Sequence, residues 1–294
     1  MSYFELLARW ARVAAASCSF LLLTGCLRFS PFEIALADEQ REQLRKNLAK
    51  LTQHPRGPAS PDMPFRFALV ADSHDGYDNF GLIVDEINAR PEIELVLFAG
   101  DITDFGATQE FVWAWKEFSR LKVPFFATPG NHDGLSQGAL VFSTMFGPTE
   151  YQFEYAGFQF VSLNTNTIEW GLDAPDFAGL TQRLGQSSLK SVLFTHQGPV
   201  STPHISEQAT AQLLTILQDE PVSLYVFGHI HENFAAAQDG GTFYVKTASA
   251  LDGHWMIIES DGETFSPTGC LFAECGEPIE AEVPTTPTAN TGAP

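Results

Sequence analysis

The chain has 294 residues, 44% of them hydrophobic, with 25 Phe. That is enough apolar material for one core of roughly 200 to 250 residues. Its 36 acidic against 16 basic residues leave a formal charge of -20, which excludes binding of a nucleic-acid polymer through a basic face, although bound cations can still reverse the field locally for a small anion.

Residues 1–25 read as an address rather than as structure. Arg9 and Arg12 precede an apolar run from Val13 to Leu23, too short to span a bilayer comfortably and of the length of a signal h-region. The run ends in Leu23-Thr24-Gly25-Cys26, which resembles a bacterial lipobox, so Cys26 would become the lipidated first residue of the mature protein. An ordinary cleaved signal or an uncleaved anchor helix are the alternatives. The lipobox implies a lipid anchor to a membrane of the bacterial cell envelope, either periplasmic or associated with the outer membrane.

Residues 26–64 read as an N-terminal helix, Phe32 to Gln53 by its spacing, and a linker at His54-Pro55-Arg56-Gly57-Pro58. From 65 to 276 the pattern is that of one domain. Apolar runs at Phe65 to Ala71, Leu95 to Ala99, Val123 to Ala127, Ser191 to Phe194 and Ser223 to Phe227 predict buried strands. Amphipathic stretches at Phe80 to Ala89, Thr108 to Arg120 and Glu207 to Leu217 predict the intervening helices, and this alternation predicts an α/β domain with mainly parallel strands. Further strands at Tyr151 to Tyr155, Phe158 to Asn164, Phe243 to Lys246 and Trp255 to Glu259 predict a second, mixed sheet, with hairpins through Ala156-Gly157 and Asp239-Gly240-Gly241. Residues 277–294 are Pro, Thr, Ala and Glu with few large apolar groups and read as a disordered tail. With Cys18 lost with the signal and Cys26 acylated, Cys270 and Cys275 remain, either bridged around a small loop or as two reduced thiols.

Five short segments concentrate the chemistry: Asp72-Ser73-His74, Gly100-Asp101-Ile102-Thr103-Asp104, Gly130-Asn131-His132-Asp133, Thr195-His196 and Gly228-His229-Ile230-His231. They hold five of the eight histidines, each beside a glycine, a carboxylate or an amide. Four of them follow directly on predicted strands, and in open α/β sheets ligands bind outside the carboxyl ends of the strands. Glycines at 100, 130 and 228 permit tight turns that aim the next side chain into such a site. Hard and borderline ligands gathered on one rim are the pattern of a two-metal hydrolase.

The order D-x-H, G-D-x-x-D, G-N-H-D, H, G-H-x-H resembles the calcineurin-like metallophosphoesterases, with every element present, over residues 66 to about 250. The resemblance implies an α-β-β-α sandwich of two mixed sheets flanked by helices. It implies that Asp72, His74 and His231 bind one divalent ion and that the Asp101 carboxylate bridges to a second, completed by Asn131, His196 and His229. Mn, Fe, Zn or Ni would suit such ligands. Ions about 3.5 to 4 Å apart would activate a hydroxide for in-line attack on a small phosphate ester. His132 would protonate the leaving oxygen or stabilise its charge, with Asp104 orienting its imidazole through a hydrogen bond. A residue that only positions Asn131 is the alternative for His132. Asp133 reads as a turn or capping carboxylate rather than a ligand.

Purple acid phosphatases carry a tyrosine where this chain has Asp104, and the 5'-nucleotidase type adds a large C-terminal domain for which little chain remains. The stretch from Gly100 to Asp133 is loosely similar to class III cyclic-nucleotide phosphodiesterases. That places phosphodiesters slightly ahead of phosphomonoesters. A noncatalytic metal-binding envelope scaffold is the rival reading. Tyr77, Phe80 and Phe105 invite stacking on a base or sugar, but packing is the commoner fate of such aromatics. His204 and His254 read as structural. The sequence leaves the natural ester, the metal identity and the oligomeric state open.

Overall fold

The computed structural model describes residues 34–53, 64–199, 205–220, 222–232, 235–239 and 241–279. In chain order the elements are α1 (Gln43–Thr52), β1 (Phe65–Val70), α2 (Tyr77–Asn88), β2 (Ile93–Ala99), α3 (Thr108–Phe118), β3 (Phe125–Thr128), α4 (Gly138–Met145), β4 (Tyr151–Tyr155), β5 (Phe158–Ser162), α5 (Phe177–Leu184), β6 (Lys190–Phe194), α6 (Glu207–Asp219), β7 (Leu224–Phe227), β8 (Ala235–Asp239), β9 (Thr242–Lys246), β10 (His254–Ser260), β11 (Phe265–Leu271) and β12 (Glu274–Pro278).

These strands form two six-stranded mixed sheets, ordered β12-β11-β10-β1-β2-β3 and β4-β5-β6-β7-β9-β8. In the first, β1, β2 and β3 run parallel, and β10, β11 and β12 continue it antiparallel. In the second, β5, β6, β7 and β9 run parallel between the antiparallel edges β4 and β8. Parallel strands covered on both faces need consecutive apolar residues, which is why β2 is buried at all seven positions.

Between the sheets, Phe65, Phe67 and Leu69 of β1 meet Phe158 and Phe160 of β5 and Val192 of β6 in one cluster. Phe153 stacks between Phe126 and Phe160 at centroid distances of 3.9 and 4.8 Å. Each such ring buried contributes about 2 kcal/mol from apolar burial. Outside the first sheet, Phe80 and Phe118 close on Phe98 at 5.4 and 5.1 Å. Outside the second, Leu180 and Leu213 of α5 and α6 pack with Leu193 and Tyr225. The layers are therefore helix, sheet, sheet, helix, and the strand ends of both sheets share one rim.

Several boundaries differ from the sequence reading. Among the described residues of the helix expected over 32–53, the α-helix spans Gln43–Thr52, because Glu42 takes a left-handed φ of 55° after a 3-10 turn at Asp38–Gln40. Nor is α1 separate from the domain beginning at 65. Leu44, Leu48 and Leu51 join the central core, and Asn47 Oδ1 accepts from Phe125 N at 3.3 Å along the edge strand β3. Of the tail expected from 277, Glu277 and Pro278 belong to β12, and Ile279 N donates to Pro267 O at 2.7 Å. A disulfide joins Cys270 to Cys275, cross-strand partners on β11 and β12. The proposed signal, Cys26, His204 and residues 280–294 lie outside the described residues. Among the described residues, no helix is long and apolar enough to cross a membrane.

Candidate metal centre

All five motif segments meet where the carboxyl ends of β1, β2 and β3 face those of β6 and β7. Five of their side chains leave the strand ends from left-handed backbone: Asp72 (φ 57°), His74 (44°), Asp101 (54°), His229 (76°) and His231 (54°). Such a φ costs a non-glycine residue about 1 kcal/mol or more, and Asp and His tolerate it better than most. The turn redirects each side chain from the sheet toward the rim. Gly100 shares the conformation at φ 81°, whereas Gly130 is required by close approach, since a Cβ there would lie 2.0 Å from Asp101 Oδ1.

Among the described residues the side chains gather in three groups that could each hold a metal ion: Asp72 with His74 and His231, Asp101 with His196 and His229, and a third that shares His74 and adds Asp104 and His132; the first two contain the motif residues that the resemblance assigns to metal. In the first, His74 Nε2 lies 3.1 Å from His231 Nε2, which is 3.3 Å from Asp72 Oδ1. In the second, His196 Nε2 lies 3.1 Å from Asp101 Oδ2, 3.0 Å from His229 Nδ1 and 3.1 Å from Asn131 Oδ1. Adjacent ligands of an octahedral cation with bonds of 2.0 to 2.1 Å are separated by about 3 Å, so the donor atoms fit a cation in each group. Asp101 Oδ2 is also 3.7 Å from His74 Nε2, so one carboxylate faces both groups.

Hydrogen bonds hold these atoms in place. His196 Nδ1 donates to Ala99 O at 2.8 Å, which reserves Nε2 for the rim. Asp72 accepts from His229 N at 2.9 Å, and Ser249 Oγ donates to Asp72 O at 2.7 Å. Asp133 is fully buried and binds no rim atom. Its carboxylate accepts from Ile102 N, Thr103 N, Thr103 Oγ1 and Gly130 N at 2.9 to 3.0 Å, tying the Asp101 loop to the Asn131 loop. It is a bracket rather than a cap.

Electrostatics follow from crowding acids and imidazoles in a buried rim. Burial disfavours charge on His196, but the Asp101 carboxylate outweighs it and raises the imidazole to about 9. Burial likewise opposes the charge on Asp101, yet His196 beside it holds the carboxyl below its usual range. Burial lowers His74, whereas the hydrogen bond to Asp72 raises His231. Burial and the nearby Asp101 charge push Asp133 up to about 6 against its donors. In the metal-free chain a proton on His196 stands where a cation would, so cation and proton compete for that nitrogen.

His132 and Asp104 differ from the sequence reading in one respect. His132 Nδ1 bonds the main-chain carbonyl of Asp104 at 2.7 Å, while the Asp104 carboxylate lies 3.5 Å from it, beyond good hydrogen-bond geometry. A backbone oxygen is nearer and more rigid than a side chain in the same turn. The carboxylate stands equally far, 3.5 Å, from His74 Nδ1. His132 N donates to Asp101 Oδ1 at 2.9 Å. A cavity of about 480 Å³ opens over the rim, bounded by His132, His229 and His231, with Ile230 and Leu251 as its apolar side. That volume suits a small ligand.

Of the aromatics near the motifs, Phe80 is buried and Tyr77 packs beside Trp113, but Phe105 is 63% exposed next to Asp104. Ser249, Asn166 and Trp170 support ligand loops and carry no motif.

Three known proteins are similar to parts of this chain. A probable glycerophosphodiester phosphodiesterase of Arcobacter nitrofigilis is 46% identical over 46 residues, 16% of this chain and 17% of that one. A 3',5'-cyclic-nucleotide phosphodiesterase of Nostoc is 25% identical over 155 residues, 49% of this chain and 58% of that one. The chain thus spans less than two thirds of either relative. A purple acid phosphatase from yellow lupin superposes with a TM-score of 0.60 at 12% identity, covering 78% of this chain and 55% of that one, a likeness of fold. The model of the calcineurin-like phosphoesterase family matches residues 65–233, which contain every candidate rim ligand from Asp72 to His231, and the chain belongs to that family.

Proposed function

We propose that the chain hydrolyses small phosphate esters, diesters ahead of monoesters, with two divalent cations. The observation that carries this is Asp101, whose Oδ2 stands 3.1 Å from the nitrogen of His196 in one ligand group and 3.7 Å from that of His74 in the other. Asp72, His74 and His231 would hold one cation, and Asn131, His196 and His229 the second, with Asp101 between them. Imidazole, carboxylate and amide oxygen suit Mn, Fe, Zn or Ni. When bound, the pair supplies Lewis-acid stabilisation of the phosphoryl oxygens and lowers the pKa of water.

The chain's own residues complete the reaction. The cavity seats the ester, and its apolar side at Ile230 and Leu251 faces the organic part. His132 Nδ1 is engaged by Asp104 O, which leaves Nε2 as the position from which a proton can reach the leaving oxygen. Poor alkoxide leaving groups need that proton most, and the diesterase names of two relatives support the diester preference. A location at the cell envelope, lipid-anchored through Cys26, is supported by the Leu23-Thr24-Gly25-Cys26 sequence. Retention of Cys26→Ser in the membrane fraction would argue against that anchor.

The test is turnover of bis(4-nitrophenyl) phosphate and 4-nitrophenyl phosphate by the purified domain with Mn²⁺, with and without chelator. Hydrolysis of both, faster for the diester, abolished by chelator and restored by Mn²⁺, is the expected outcome. If metals bind and neither ester turns over with any divalent cation, the protein is a metal-binding scaffold.

A further inference from the structure

The segment between β5 and α5 braces the ligand loops from behind, and nothing in the motifs announces it. Asn164, Thr165 and Asn166 are buried there at 1% exposure or less, which is unusual for polar loop residues. Asn164 Oδ1 accepts from Asn166 within the segment, and bonds from Asn166, Thr165 and Trp170 run to the loops that carry Asn131 and His196. Asn166 Nδ2 donates to Pro129 O at 2.8 Å, and Trp170 Nε1 donates to Gly130 O at 2.8 Å. Thr165 Oγ1 accepts from Gln197 N at 3.1 Å, one residue beyond His196.

Trp170 grips the Asn131 turn at both ends. Its indole N–H holds the carbonyl before Asn131, while its ring lies against Gly134, where an added Cβ would meet indole atoms at 2.6 Å. Phe142 of α4 fixes the ring edge-on at a centroid distance of 5.8 Å. Two consecutive carbonyls are thereby fixed just ahead of Asn131, and the backbone rotations that place its amide oxygen 3.1 Å from His196 Nε2 are no longer free. By contrast, among the described residues the loops that carry Asp72, His74 and His231 receive no hydrogen bond from this segment, whose bonds end on Pro129, Gly130 and Gln197.

We infer that Trp170, with Asn166, is a positioning residue for one of the two cation sites, the one formed by Asn131, His196, His229 and Asp101. This rests on the two-cation reading above. Outer hydrogen-bond partners of metal ligands typically alter affinity by about 10- to 100-fold. A residue that merely stabilised the fold would weaken both sites or neither.

The experiment is Mn²⁺ titration of the wild type and of Trp170→Phe, followed by EPR and by metal analysis after dialysis, with circular dichroism as the check of folding. Trp170→Phe keeps a ring against Gly134 and Phe142 and removes the donor to Gly130 O. The expected result is one Mn²⁺ held as in the wild type and one weakened by about tenfold, with turnover regained at high Mn²⁺. Should Trp170→Phe fail to fold, 3-benzothienylalanine at position 170 keeps the bicyclic shape and still lacks the N–H. Unchanged affinity at both sites, or equal weakening of both, overturns the inference while leaving the two-cation reading intact. A wild type that binds fewer than two Mn²⁺ overturns both.

Discussion

Asp101→Asn is expected to leave a folded protein whose turnover is lower by about a thousandfold or more, the scale at which loss of one well-placed electrostatic partner acts. Asparagine tolerates the left-handed backbone that Asp101 adopts at φ 54°, and its amide oxygen can still accept from His132 N. What disappears is the negative charge between His196 and His74. The amide NH₂ then competes for the space of a shared ligand and cannot neutralise two cations. Metal analysis should show at most one tightly held ion, and the circular dichroism spectrum should match the wild type. A variant that keeps two ions and more than a tenth of the rate would remove Asp101 from the shared position.

His132→Ala is expected to lower the rate by about 10²- to 10⁴-fold, the usual contribution of a positioned acid or base, and to retain both ions. The contacts explain the separation. The main-chain N–H of His132, which alanine keeps, donates to Asp101, whereas the imidazole bonds the carbonyl of Asp104. The loss should grow as the leaving group becomes more basic, so an alkyl diester suffers more than a nitrophenyl one. Equal losses with both leaving groups would reassign His132 to charge stabilisation. Departure of both ions would place it in the metal centre itself.

The rim was legible in the sequence because its residue types are expensive to bury without a purpose and because each group follows a strand that reads clearly. Val96-Leu97-Phe98-Ala99 before Asp101 and Tyr225-Val226-Phe227 before His229 are unbroken apolar runs, so the ligand positions relative to the sheets followed directly. Strands β11 and β12 were not legible: Pro267, Gly269, Gly276 and Pro278 interrupt the pattern, and a register shift between Thr268 and Cys270 breaks the pairing. Helices α4 and α5 have eight residues each, too few for a 3.6-residue period to stand out.

Within the site, what escaped the sequence was tertiary. The bond from Trp170 to Gly130 spans 40 residues, and the bracket made by Asp133 reaches back about 30. Neither spacing has a period. The left-handed turns at five candidate ligands were hidden for another reason: they fall on Asp and His, where a glycine would have advertised them. The role of the Asp104 carbonyl was unreadable because any residue at 104 would supply that oxygen, so Asp104→Ala should disturb His132 less than the motif suggests.

The central claim is that two cations share Asp101 at the joint rim of the sheets. Anomalous diffraction from crystals grown with Mn²⁺ tests it most directly. Two peaks about 3.5 to 4 Å apart, one beside Asp72, His74 and His231 and the other beside Asn131, His196 and His229, are predicted. A single peak, or two with Asp101 bound to only one, would contradict the account.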